Sequence, residues 1–181
     1  MFKNQIANPF VRNLLEWFVA IGLAVLFIFV TRNFLFRMAH VDGNSMEPTL
    51  SNGNIVVLNR LGWLVSGPRV NDIVAFPYRM DPSENFIKRV IGLPGDTVDI
   101  VDGAFYVNGV LLEDAFTHER IADRWDTNFP VTIPEGTVFV LGDNRNGSKD
   151  SRFSSVGNVP ISEIVGRVSV RVWPIGGLGR P

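Results

Sequence analysis

Residues 86–107 read F-I-K-R-V-I-G-L-P-G-D-T-V-D-I-V-D-G-A-F-Y-V. Three short runs rich in Val, Ile and Phe are separated by G-L-P-G-D and by D-G. Runs of this length and composition read as strands, and the separators are turn residues. Asp102-Gly103 suits a tight link between two antiparallel strands, and Asn108-Gly109 is a further turn signal. The same signature recurs in I-V-V-L at 55–58, D-I-V-A-F at 72–76, T-V-F-V-L at 137–141 and R-V-S-V-R-V-W at 167–173. The expected fold is therefore mainly β: an antiparallel, barrel-like domain over 38–181, with one short helix near 161–165. Residues 113–127 are polar and charged, and read as a short helix or an exposed excursion. R-V-W-P at 171–174 reads as a closing strand with a core or interface tryptophan.

Upstream the pattern changes. Residues 17–30, W-F-V-A-I-G-L-A-V-L-F-I-F-V, hold no polar side chain. At about 1.5 Å per residue they cover about 21 Å of helix, less than the ~30 Å hydrocarbon core. Leu14, Leu15 and Phe34 to Phe36 lengthen the run, and Glu16, Arg32 and Asn33 then fall near the interfaces. Three readings compete. A buried core helix needs a larger body around it than the remaining chain offers. A cleaved secretory signal needs small residues where Phe34, Leu35 and Phe36 stand, and Met38-Ala39-His40 is a poor cut site. The expectation is an uncleaved transmembrane signal-anchor at 14–36 behind a short tail at 1–13. Lys3 and Arg12 precede it while Arg32 and Arg37 come after it, so positive charge alone does not orient it.

Composition narrows the chemistry. The chain has 181 residues and 20.1 kDa, enough for one ordinary domain. A net charge of −1 offers no bulk attraction for nucleic acid. The absence of cysteine excludes disulfides, thiolate zinc sites and a cysteine nucleophile. His40 and His118 cannot make a His-rich metal site by themselves, and neither belongs to an H-E-x-x-H pattern.

Three segments carry candidate chemistry. In V-D-G-N-S-M-E-P-T-L, residues 41–50, Gly43 permits a tight turn before Ser45, and Pro48 stiffens the segment after the serine. Such a turn can expose a serine hydroxyl; it also reads as an ordinary polar turn. In F-I-K-R-V-I, strand alternation puts Lys88 with Phe86 and Val90 on one face and Arg89 with Ile87 and Ile91 on the other. Either Lys88 or Arg89 must then approach apolar side chains, unless the strand lies at an edge and Lys88 reaches water. An unperturbed lysine is neutral only about once in 2,500 at pH 7. Burial that depresses its pKa by ~2 raises the neutral fraction about a hundredfold, at about 2.7 kcal/mol of stability. A neutral amine can take a proton from Ser45, and no histidine competes persuasively for that role. The third segment is V-L-G-D-N-R-N-G-S-K-D-S-R, residues 140–152. Its hydrogen-bonding side chains fit either a solvated loop or a supporting shell. Asp150 can pair with Arg152, and Ser148 or Ser151 can reach the lysine amine.

Together, in this order and behind an N-terminal anchor, these segments resemble the type I signal peptidases, above all the small single-span form of Gram-positive bacteria. G-N-S-M-E-P-T-L is similar to the nucleophile box, F-I-K-R-V-I-G-L-P-G-D to the lysine box, and G-D-N-R-N-G-S-K-D-S-R to the third box. The resemblance implies a serine endopeptidase with Ser45 as nucleophile and Lys88 as general base. It implies that Ser148 orients the amine, that Asp150 and Arg152 form a structural ion pair, that Asp143 belongs to the same box, and that neither metal nor cofactor is needed. Its implied substrates are exported preproteins, cut after small residues at −1 and −3, near the export translocon. The chain would sit in the cell membrane with a cytoplasmic N-terminus and its catalytic domain outside. Gly43 stands where some members carry an oxyanion serine, which leaves that role to backbone. Asn54 and Asn71 replace an expected Asp and Gly. A self-cleaving serine–lysine repressor and a non-catalytic anchored assembly factor are the alternatives. The apolar run weighs against the first, and the retention of Ser45 and Lys88 against the second.

Overall fold

The computed structural model describes residues 9–30, 36–112, 121–122 and 125–181. Lys3, Arg32, Asn33, Phe34, Leu35, His118 and most of the polar 113–127 stretch lie outside them.

Helix α1, Pro9–Val30, opens on a proline, whose missing N–H costs nothing in the first turn. The 21 residues from Pro9 to Phe29 are long and apolar enough to cross a membrane, and none of that surface is buried in the protein. The core-helix reading is therefore overturned. The helix gains its length upstream, through Arg12 and Glu16, which pair at 3.7 Å. Phe36 does not end the helix but opens strand β1, Phe36–His40.

Ten further strands come after it: β2 Ile55–Asn59, β3 Ile73–Tyr78, β4 Asp81–Gly92, β5 Thr97–Val101, β6 Ala104–Val107, β7 Val110–Leu111, β8 Val131–Thr132, β9 Thr137–Leu141, β10 Val159–Pro160 and β11 Gly166–Trp173. They form two antiparallel sheets rather than one barrel, in the orders β1-β2-β11-β3-β4-β9-β10 and β7-β6-β5-β8. Both keep open edges, so no closed barrel forms among the described residues. The break falls at G-L-P-G. Pro94 cannot donate to a ladder, and Gly95 turns at φ +87°. Gly92 packs so closely that a Cβ there would overlap the Ile133 side chain. The chain thus leaves the large sheet and starts the small one. Asp102-Gly103 and Asn108-Gly109 both take the left-handed conformations of tight hairpins, linking β5 to β6 and β6 to β7.

A second helix, α2 Arg60–Ser66, was not legible in the sequence. Asn59 caps it by accepting the Gly62 N–H at 2.7 Å. Trp63 is buried beside Val74 and Ile164, whereas Leu64 and Val65 are exposed. The helix expected near 161–165 is a single 3₁₀ turn, Ile161–Glu163. Trp173 is 51% exposed and so not a core residue.

The centre of the large sheet positions the site. Strand β3 pairs with β4 so that Val74 faces Lys88, and β4 pairs with β9 so that Arg89 faces Leu141. Both flanking strands are buried along this stretch. A side chain projecting from the middle of β4 therefore starts in a dry environment.

Candidate active site

Ser45 sits in the turn between β1 and β2. Gly43 takes φ +86°, a conformation that a side chain would strain, and its N–H donates to Asn52 Oδ1 at 3.0 Å. Met46 and Leu50 are fully buried and hold the turn against β2 and β3. The half-buried Ser45 hydroxyl is left at the surface of that packing.

Lys88 Nζ lies 2.7 Å from Ser45 Oγ and 3.0 Å from the Ile87 carbonyl oxygen. The lysine is 3% exposed. Burial is the main influence on its amine and lowers its pKa to about 8; the carboxylates of Asp150 and Asp143 pull the other way. At this separation an ammonium donates to the hydroxyl, and a neutral amine accepts from it. The alternation argument asked that either Lys88 or Arg89 turn inward, and both do: Arg89 is also 3% exposed.

Arg89 is tolerated because Asp143 meets it. Nε donates to Oδ1 at 2.8 Å and Nη2 to Oδ2 at 2.7 Å, while Thr49 donates to the same carboxylate at 2.5 Å. Arg89 Nη1 donates to the Asn71 carbonyl at 2.9 Å, and Asn71 itself turns at φ +72°. Neither the Arg89–Asp143 pair nor Thr49's part in it was anticipated. The spacing of charges along β4 hinted only that a partner was needed.

Asp150 and Arg152 form a second buried pair, both fully shielded, with contacts of 2.8 and 2.9 Å. Asp150 Oδ2 also accepts the Gly142 N–H at 3.1 Å, and Arg152 Nη2 donates to the Arg145 carbonyl at 2.5 Å. The pair thus folds the loop after β9 back on itself. Asn144 straps that loop to the serine turn: its N–H donates to the Ser45 carbonyl and its Nδ2 to the Asn44 carbonyl, each at 3.1 Å.

The serines behave differently from expectation. Ser151 is taken up by β9, its Oγ accepting the Val140 N–H at 2.9 Å, and so does not serve the lysine. Ser148 Oγ is buried without a hydrogen-bond partner among the described residues. It packs close to Gly142, where an added Cβ would overlap Ser148 Oγ and the Ser45 carbonyl oxygen together. His40 is exposed and lies 4.0 Å from Asp42.

Comparison with known proteins gives the same kinship throughout. The family model for signal peptidase, peptidase S26, matches residues 14–173. A signal peptidase I of Leptolyngbya laminosa is 37% identical over 173 residues, covering 92% of this chain and 83% of the relative. A signal peptidase IB of Staphylococcus aureus is 34% identical over 178 residues, covering 90% and 91%. The crystal structure of a signal peptidase I from Enterococcus faecalis V583 is 35% identical, covers 55% of this chain and 95% of that one, and has a TM-score of 0.48.

Proposed function

The chain belongs to the signal peptidase family, peptidase S26, and from that membership we propose that Ser45 and Lys88 form the catalytic dyad of a membrane-anchored enzyme that removes signal peptides from exported preproteins. Family membership carries the serine-peptidase activity. The observation that carries the dyad is the 2.7 Å separation of a hydroxyl from a lysine amine buried deeply enough to lose its proton near neutrality.

The reaction is acyl transfer. Lys88, neutral, accepts the Ser45 proton as Oγ attacks the scissile carbonyl. The resulting ammonium gives that proton to the leaving amine, and the acyl-enzyme remains. Water then attacks the ester with Lys88 again as base, and Ser45 is regenerated. The oxyanion is held by backbone, chiefly the Ser45 N–H, because Gly43 brings no hydroxyl to that side. Ser148 completes the amine's surroundings: one N–H goes to the Ile87 carbonyl, the lone pair to Ser45, and the second N–H to Ser148 Oγ once the two draw together. The Asp150–Arg152 pair holds the loop that carries Ser148, and the Arg89–Asp143 pair holds β4 against it. Small residues at −1 and −3 of the signal sequence are the selected side chains.

Helix α1 serves as the anchor, with the N-terminus in the cytoplasm and the sheets on the outer face, near the export translocon. A 21-residue span apolar enough to cross a membrane, with none of its surface buried, supports the anchor. The repressor-like and assembly-factor readings are weakened by the anchor helix and by the close serine–lysine contact.

The test is cleavage of a labelled preprotein by the full chain in detergent. Ser45→Ala and Lys88→Ala are each expected to abolish cleavage while the protein still folds and inserts. Cleavage by Lys88→Ala would remove the proposed base. For orientation, protease added to intact cells should digest the sheets and spare residues 1–12; protected sheets would reverse the assignment.

A further inference from the structure

Phe86 precedes Lys88 by two residues on β4, and its ring centre lies 5.0 Å from Lys88 Nζ. The ring is half-buried and packs against an amine that is almost fully buried, so it is one of the apolar groups that cover Lys88. Tyr78 of β3 stacks on it with centroids 4.5 Å apart and planes 7° from parallel. Phe76 meets it edge-on at 6.2 Å. The Tyr78 hydroxyl accepts a hydrogen bond from Lys149 Nζ at 2.5 Å, and the same ammonium stands 4.7 Å from the centre of the Tyr78 ring. Lys149 lies between Ser148 and Asp150 in the loop after β9. One line of contacts therefore runs from that loop through Lys149, Tyr78 and Phe86 to the amine.

We propose that Lys149 is a positioning residue: with Tyr78 it clasps the Phe86 ring as a dry wall over the Lys88 amine. The inference rests on the reading of Lys88 as general base and adds a means by which the site keeps that base free of water. Desolvation is what lowers the proton affinity of Lys88, so a wall that swings away restores it. The charged groups that act on the amine are Asp150 and Asp143, each paired with an arginine. Around Tyr78 they are Lys149 and Glu84. Removing the Lys149 charge also favours an ammonium at Lys88, so the test must separate the ring from the charge.

The full chain in detergent is treated with acetic anhydride across pH, and acetylation of Lys88 is read by mass spectrometry beside preprotein cleavage. Lys149→Met, Tyr78→Phe and Phe86→Ala are each expected to move the midpoint of Lys88 reactivity upward; Tyr78→Phe does so without changing the number of cations. Cleavage by Lys149→Met should fall about three- to tenfold at pH 7 and return to within about twofold near pH 10. In a Phe86→Ala background, Lys149→Met should move the midpoint less than it does in the parent, because the larger part of its action runs through the ring. An unmoved midpoint in Phe86→Ala, a loss equal at every pH, or simple additivity in the double variant would each overturn the clasp. Acetylation needs no substrate. A moved midpoint in these variants, together with retained cleavage by Lys88→Ala, would therefore refute the general-base reading and leave the clasp standing.

Discussion

Asp143 grips the guanidinium of Arg89, the residue after Lys88, through two contacts of 2.7 and 2.8 Å in a site closed to solvent. The pair joins the end of β9 to the middle of β4, the two pieces of chain that bring the third loop and the lysine together.

Removing one partner of such a pair strands the other charge. Asp143→Ala is expected to destabilise the fold by about 3–5 kcal/mol. The double variant Asp143→Leu/Arg89→Met removes both charges and should be less damaged than either single variant. Urea unfolding of the parent, Asp143→Leu, Arg89→Met and the double variant measures this. A double variant worse than both singles would contradict the assignment.

Gly142 has room for a hydrogen and no more. A methyl group there overlaps the Ser148 hydroxyl and the Ser45 carbonyl, and the carbonyl is fixed by the Asn144 N–H. Gly142→Ala should cost about 1–3 kcal/mol of stability. Its effect on kcat should be larger, about a hundredfold, because the displaced group carries the nucleophile. Equal kcat in the variant would show that the serine turn can give way.

The buried lysine weakens the fold that contains it. Its pKa drops from 10.5 to about 8. Below pH 8 the folded protein holds an ammonium that the unfolded chain would solvate, so the penalty is fully present there. It shrinks between pH 8 and 10.5 as the folded amine loses its proton, and vanishes above. At neutral pH the penalty is about 3 kcal/mol at most. Lys88→Met, inactive by design, should therefore be more stable than the parent by about 1–3 kcal/mol at pH 7, with no advantage near pH 11. Chemical denaturation at the two pH values tests both halves of the statement.

Cleavage should track the same proton. With a pKa of about 8, about a tenth of the amine is neutral at pH 7, against about one part in 3,000 for an unshifted lysine. The logarithm of kcat/KM should rise with unit slope below pH 8 and level off above it. A profile still rising at pH 10 would mean that Lys88 is wetter than its surroundings imply.

Local patterning carried most of the architecture. The strands at 55–58, 72–76, 86–91, 97–101, 104–107, 137–141 and 167–173 all appear, because β-branched runs between turn residues specify a strand wherever they pack. A helix over the apolar N-terminal run was equally legible, since an all-apolar stretch needs no partner to declare itself, although it spans Pro9–Val30 rather than 14–36. The strands β7, β8 and β10 were not, because two residues carry too little pattern, and neither was β1, whose F-R-M-A-H holds no β-branched residue and owes its pairing to β2. Nor was α2, whose Gly62 and β-branched Val65 are poor helix formers; packing of Trp63 overrides them. Periodicity also could not distinguish one closed barrel from two open sheets, a matter of how strands curve and where Pro94 interrupts them.

The same division runs through the site. Residue types and order alone marked Ser45, Lys88, the pair Asp150 and Arg152, and Ser148 or Ser151 as candidates, because few side chains can supply a nucleophile and a base in a chain without cysteine; the family resemblance singled out Ser148 and added Asp143. Only the folded chain determined which charge meets which: Arg89 with Asp143, Asn144 with the Ser45 carbonyl, Ser151 with β9 rather than the lysine, and Lys149 with Tyr78. A sequence states how each segment prefers to fold, which is local. The proton affinity of an amine depends on water excluded by residues far along the chain, and that exclusion exists only once the strands have paired.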